Sequence, residues 1–317
     1  MKARRLLAAC LLVVTLGACQ RQHPAAPAAP ATAPAPAAAS TAAPAAAIAP
    51  EGPRILLSPD NVHIEYNIYG TGEPAVTLVH GWAENANYWQ AQIEPLKSAH
   101  YTVVTLNLAG HGASGNNRSD WSIANYAQDV AAVARQLPPG PLVLVGHSMG
   151  AAVVLAATPL IGSRVIGIVA VEALRSVGEP PMPQREIERR LAPFSSDFVG
   201  ATRRLVSESL FEKGADPLLV QKVAYDMSLA RPAVAVPSMR ALLSWDLNAV
   251  LPQIHVPVYV INSDLAPTDA TRIRRVLPQS SLDVLAHSSH FPMLEDPARF
   301  NPLLLKDVAA IAQQQAH

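Results

Sequence analysis

The sequence predicts an α/β fold, a mostly parallel β-sheet flanked by helices, with an all-helical block inserted after the sixth strand. Three observations carry that expectation. Apolar runs such as AVTLVH, LVLVGH and VIGIVAVE lack the polar alternation of a half-exposed strand, so each reads as a strand buried on both faces. Helical segments separate these runs, and strands alternating with helices call for a parallel sheet covered on both sides. The alternation stops between residues 174 and 252, where QREIERRLAPF, GATRRLVSESLF, DPLLVQKVAYDMSLA and VPSMRALLSWDL follow one another as short amphipathic helices punctuated by Pro and Gly.

The elements follow in order from about Arg54. Ile55 to Leu57 and Val62 to Gly70 read as an antiparallel pair, the second alternating in polarity. Ala75 to His80 is a buried strand, followed by a helix over Tyr88 to Lys97 and a further buried strand over Tyr101 to Asn107. Ser122 is a fitting N-cap for a helix from Ile123 to Leu137. Leu142 to His147 then runs into Ser148 and an Ala-rich buried helix, and Val165 to Glu172 is the next strand. After the helical block come a strand over Val256 to Asn262, a short strand SLDVLA, and a terminal helix capped by Asp296 with Pro297 in its first position. A helical insertion at the carboxyl ends of a parallel sheet overlies the place where such sheets bind ligands, so residues 174–252 read as a lid.

Composition narrows the function classes. The chain has 317 residues, 24 basic and 24 acidic, and half of it is hydrophobic, which suits a full core and offers no electrostatic footprint for nucleic acid. Paired arginines at 189–190, 203–204 and 274–275 are read as solvated helix faces. No spacing of His, Cys or carboxylates suggests a metal, and no glycine-rich phosphate loop or cofactor motif is present.

The first residues combine a basic MKARR, an apolar LLAACLLVVTL and a small-residue LGAC, the pattern of an export signal too short to span a membrane comfortably. Leu16, Gly17, Ala18 and Cys19 resemble the lipobox of bacterial lipoproteins. That resemblance implies cleavage after residue 18, lipidation of Cys19 and, with Gln20 following, attachment on the periplasmic side of the outer membrane. An ordinary secretory signal is the other reading, and both imply export. Residues 19–53 are almost all Ala and Pro, an extended tether with no core-forming side chains. Residues 54–317 are then the folded domain, expected to act as a monomer.

The chemistry centres on GHSMG. A buried strand that becomes a helix within one or two residues must bend sharply, and Gly146 and Gly150 leave room for the bend while Ser148 is pushed out at its tip. The pentapeptide fits the GxSxG nucleophile elbow of α/β-hydrolases. NLAGHGASG is similar to that family's DLPGHGxS, with Asn107 for Asp and Ala109 for Pro, and SHFPMLEDPARF resembles its GHFPMLEDPERF ending, with Ser289 for Gly. The chain thus resembles a lid-bearing α/β-hydrolase from about Arg54 to the C-terminus.

That resemblance implies Ser148 as nucleophile and His290 as its base, with His287 a loop residue. Two carboxylates compete for the acid. After the penultimate strand the family's Asp position is Ala266, but Asp264 stands nearby; Glu172, after the strand following the nucleophile, occupies a "VEA" context similar to that of some haloalkane dehalogenases. The oxyanion hole would be the backbone N–H groups of Met149 and Trp82, the latter after the typical HG pair. His80, His111 and His147 are read as structural. A serine at the elbow points to acyl transfer, hydrolysis of an ester, thioester, lactone or amide, on a small or medium acyl substrate. Phe194, Phe198, Met239 and Trp245 are apolar lid residues that could line its pocket. Cofactor-free perhydrolase or haloperoxidase chemistry, carbon–carbon bond hydrolysis, and ligand binding without catalysis are the competing classes.

Overall fold

In the computed structural model the described residues are 52–315. Eight strands form one sheet: β1 (Gly52–Leu57), β2 (His63–Tyr69), β3 (Ala75–Val79), β4 (Thr102–Leu106), β5 (Leu142–His147), β6 (Val165–Val171), β7 (Val258–Ser263) and β8 (Ser281–Leu285). Their spatial order is β1-β2-β4-β3-β5-β6-β7-β8. β2 pairs antiparallel with β1 and β4, and every pairing from β4 to β8 is parallel.

Burial follows the sequence pattern. The uniform apolar runs β4, β5 and β6 are buried throughout, because helices cover both faces, whereas the edge strand β1 alternates and leaves Ile55 and Leu57 exposed. Gly52 and Pro53, expected in the tether, instead pair with Ile68 and Asn67 of β2. An edge strand tolerates Pro53 because its missing N–H need not serve a second neighbour.

The flanking helices are α1 (Gln90–Ser98), α2 (Ile123–Gln136) and α3 (Met149–Ile161), and after β6 come α4 (Gln184–Ser196), α5 (Phe198–Leu205), α6 (Pro217–Ser228), α7 (Pro232–Ser244) and α8 (Leu247–Val250). α9 (Ala270–Val276) joins β7 to β8, and α10 (Pro292–Glu295) and α11 (Pro297–Gln314) close the chain. Ser122 caps α2 by accepting from the Asn125 N–H at 3.3 Å, and Asp296 caps α11 by accepting from Arg299 N–H at 3.1 Å. Among the inserted helices, Asp197, Asp216 and Asp246 do the same for α5, α6 and α8. No helix among the described residues is long and apolar enough to cross a membrane. The signal segment, Cys19 and the tether as far as residue 51 lie outside the described residues.

The strand order positions the site. From β3 the chain passes to β4 on one side and returns to β5 on the other, so the loops leaving β3 and β5 diverge at their carboxyl ends and open a crevice. Ser148 and the VHGWAE loop stand at its two sides.

Candidate active site

Ser148 takes φ 52° and ψ −114°, a backbone region that side chains avoid. The bend is held from both sides. Its N–H donates to Val171 O of β6 at 2.9 Å, and its carbonyl accepts from Ala151 N–H at 3.0 Å. The small neighbours are obligatory here: a Cβ on Gly146 would run into the Gly150 carbonyl, and one on Gly150 into the carbonyls of Val79 and His80. Met149 opens α3, so its N–H belongs to the first-turn donors that have no intrahelical acceptor.

Glu172, directly after β6, also has positive φ, 54°. This turn sends its carboxylate toward the loop bearing His290. The Glu172 Oε2 lies 3.3 Å from His290 Nδ1, 2.9 Å from Arg175 Nη1, and Oε1 accepts from Arg175 Nη2 at 3.1 Å and from the Ser263 N–H. Burial pushes the Glu172 carboxyl up, but His290 and Arg175 outweigh it and bring it down to about 2. Burial also lowers His290 below the ordinary histidine value, more than Glu172 raises it.

Asp264 is elsewhere. It is exposed, and its carboxylate accepts from the backbone N–H groups of His287 at 3.0 Å and Ser288 at 3.4 Å, which hold it below the usual carboxylate range. The His287 turn, at φ 54°, needs that cap. Of the two candidate carboxylates, therefore, the structure brings Glu172 to His290 and leaves Asp264 capping a turn.

His290 is anchored at its backbone, its N–H donating to Leu210 O at 2.9 Å and its carbonyl lying 2.7 Å from His147 Nε2. The His147 and His290 rings are 4.8 Å apart, which brings His290 beside the residue preceding Ser148. On its other nitrogen His147 meets the buried Glu84 at 2.9 Å. Burial alone would lower His147, yet Glu84 leaves it raised. Glu84 Oε2 also accepts from Gly81 N–H at 2.7 Å, so it sets the turn ahead of Trp82. The Trp82 indole donates to Ala235 O of α7 at 2.7 Å and meets Phe194 and Phe198 edge-on at 5.6 and 6.2 Å, so these three aromatics pack together. His80 accepts from Leu108 N–H at 3.1 Å, which assigns its other nitrogen as donor to Gly81 O at 2.8 Å.

Ser148 opens onto a cavity of about 260 Å³ whose wall includes Ala151, Leu155, Glu172, Arg175, Leu242 and Trp245. Phe194, Phe198 and Met239 are absent from that wall, whereas Trp245 is part of it. A larger, more polar groove of about 690 Å³ lies between the loops after β3 and β4 and α6, and does not include Ser148.

Residues 78–303 match the model of the alpha/beta hydrolase family. The chain belongs to that family. Among solved structures, this hydrolase is similar to a thermophilic esterase from Thermogutta terrifontis, with TM-score 0.73 and 22% identity, covering 82% of this chain and 99% of the other. It is also similar to Est816, described as an N-acyl homoserine lactone degrading enzyme, with TM-score 0.68 and 25% identity over 80% of this chain and 98% of that one. A curated relative, the Karrikin insensitive 2 receptor CA of Petunia hybrida, is 23% identical over 272 residues, 76% of this chain and 94% of its own length.

Sequence reading had not singled out Asn262, Arg175, Glu84 or Glu295 in the hydrolase. Asn262 bonds Ala173 through both amide atoms, each at 2.9 Å, and so clamps the segment after Glu172. Glu295 accepts from Ser289 N–H at 2.6 Å and Ser289 Oγ at 2.8 Å, closing the His290 loop. Glu84 and Glu295 stand within motif segments already quoted, where a carboxylate beside backbone N–H groups was the available signal.

Proposed function

We propose that this hydrolase cleaves an ester-type acyl bond on a small or medium substrate through a covalent acyl-enzyme, with Ser148 as nucleophile, His290 as base and Glu172 as acid. The observation that carries the reading is the strained Ser148 elbow opening onto the cavity that Glu172 also lines, with Glu172 bonded to His290. His290 takes the Ser148 hydroxyl proton as Oγ attacks the acyl carbonyl. The oxyanion is received by the N–H groups of Trp82 and Met149. Collapse of the tetrahedral species breaks the acyl–oxygen bond, and His290 returns the proton to the leaving alcohol. Water, deprotonated by the same histidine, then releases the carboxylic acid and restores Ser148. Glu172 keeps the His290 Nδ1–H in place and stabilises the imidazolium formed in each half.

The inserted helices serve as a lid over this site, residues 1–18 as export signal, Cys19 as lipid anchor and residues 19 to about 51 as tether, which would hold a monomeric domain on the periplasmic side of the outer membrane. Turnover of p-nitrophenyl esters from acetate to laurate tests the activity. Wild type should hydrolyse the shorter esters, given the cavity of about 260 Å³, and Ser148→Ala should abolish turnover and labelling by fluorophosphonate. Peracid formation in acetate and peroxide would move the reading to a perhydrolase, and diketone cleavage without ester turnover to a carbon–carbon hydrolase. Ligand binding unchanged by Ser148→Ala, with no labelling of wild type, would make it a binding protein.

A further inference from the structure

We propose that Arg175 is a positioning residue that shares the Glu172 carboxylate with His290 and so weakens the hold of that anion on protonated His290. This rests on the serine hydrolase reading above. Both Glu172 oxygens are engaged by the guanidinium, at 2.9 and 3.1 Å, while His290 reaches Oε2 only at 3.3 Å. The cation therefore holds the tighter share of the anion on which an imidazolium would depend. Its position is built, because Nε donates to Ala266 O at 3.2 Å and Nη2 to Ser263 O at 3.1 Å, so the loop after β7 fixes the guanidinium plane. The side chains are 21% exposed for Arg175 and 1% for Glu172, which leaves little water to screen the pair.

Of the surrounding groups, His147 acts on His290 in the same direction as burial, while Glu172 and Glu84 act against it. Glu172 and Arg175 face His290 from the end of β6, while Glu84 and His147 form their own buried pair from the β3 loop and β5. Glu295 of α10 is spent on Ser288 and Ser289, and Asp264 on the His287 turn. From the inserted helices, Glu212 touches this loop through its backbone N–H, which donates to Ser289 Oγ at 2.9 Å. Removing Arg175 leaves Glu172 with His290 and the Ser263 N–H, without a competing cation, so protonated His290 gains stabilisation and its pKa rises. Activity that needs neutral His290 is then lost at a higher pH than in the wild type.

The test follows His290 itself in the full-length chain. Histidine nitrogen resonances are titrated by NMR in wild type, Arg175→Gln and Arg175→Lys, with His290 assigned by its loss in His290→Asn, and the pH dependence of fluorophosphonate labelling is recorded alongside. We expect the His290 titration and the acid limb of labelling to move up together by about one pH unit in Arg175→Gln. Arg175→Lys, which restores a cation, should return most of the shift. A structural role alone would lower Tm and rate without moving the limb, and an unmoved His290 titration overturns the proposal. Wild-type His290 titrating above the ordinary histidine value overturns it as well, whether or not the variants fold. Absence of labelling in the wild type would sink the serine reading separately, while the titration still judges the Arg175 coupling.

Discussion

At the scale of single residues, two strained backbones stand at the candidate site. Ser148 and Glu172 both hold positive φ without being glycine, a conformation costing about 1 kcal/mol or more each, and both are forced into it by bonds from neighbouring strands. The two carboxylates should consequently separate in kinetics. Glu172→Gln removes the anion beside His290 and should lower kcat by roughly 10³–10⁴, as loss of a triad acid does when geometry survives. Asp264→Asn, which keeps an acceptor for the His287 N–H, should leave kcat within a few-fold and act on stability instead. Equal losses from both changes would contradict the assignment of Glu172. Ser148 and His290 were legible because their neighbours form motifs. Which carboxylate meets His290 was not, because Asp264 and Glu172 both follow strands, and only the turn at Glu172 and the cap at His287 determine which way each carboxylate faces.

At the scale of elements, the strands and the capped helices were readable because apolar runs and capping residues are local signals. The bonds that join the inserted helices to the sheet were not, since they depend on approach across the fold. Ser289 shows this best. It stands where the family pattern has glycine, and its hydroxyl donates to Glu295 and accepts from the Glu212 N–H, two residues past the π-helical turn over residues 206–210. With the His290 N–H on Leu210, the His290 loop is tied to the insertion at two adjacent points. Ser289→Ala leaves Glu212 N–H without its partner and should cost about 1–2 kcal/mol in denaturant unfolding. Kinetically it should loosen His290 and lower kcat more than it raises KM. A variant as stable as wild type with unchanged kcat would show that the hydroxyl bridge is idle.

At the scale of the whole molecule, α11 closes one face of the sheet against β6, where a Cβ on Gly167 would run into Ile311. Inside this seam lies Asp307, fully buried, with neither carboxylate oxygen hydrogen-bonded among the described residues and Lys306 Nζ 3.5 Å from Oδ1. Burial pushes its carboxyl up to about 7, only partly opposed by Lys306. Because this pKa is raised, the folded chain holds a proton between about 4 and 7 that the unfolded chain has released, so stability falls as pH rises through that window. Each unit of the difference corresponds to roughly 1.4 kcal/mol. Asp307→Asn keeps the shape and cannot ionise. Its Tm relative to wild type should therefore climb between pH 4 and pH 8, each kcal/mol appearing as about 2–4 °C. The rise should occur in the protein lacking Ser148 as well, since Asp307 belongs to the seam under the sheet and not to the crevice above it. A Tm difference that stays flat across that pH range would mean that Asp307 ionises as freely in the folded chain as in the unfolded one.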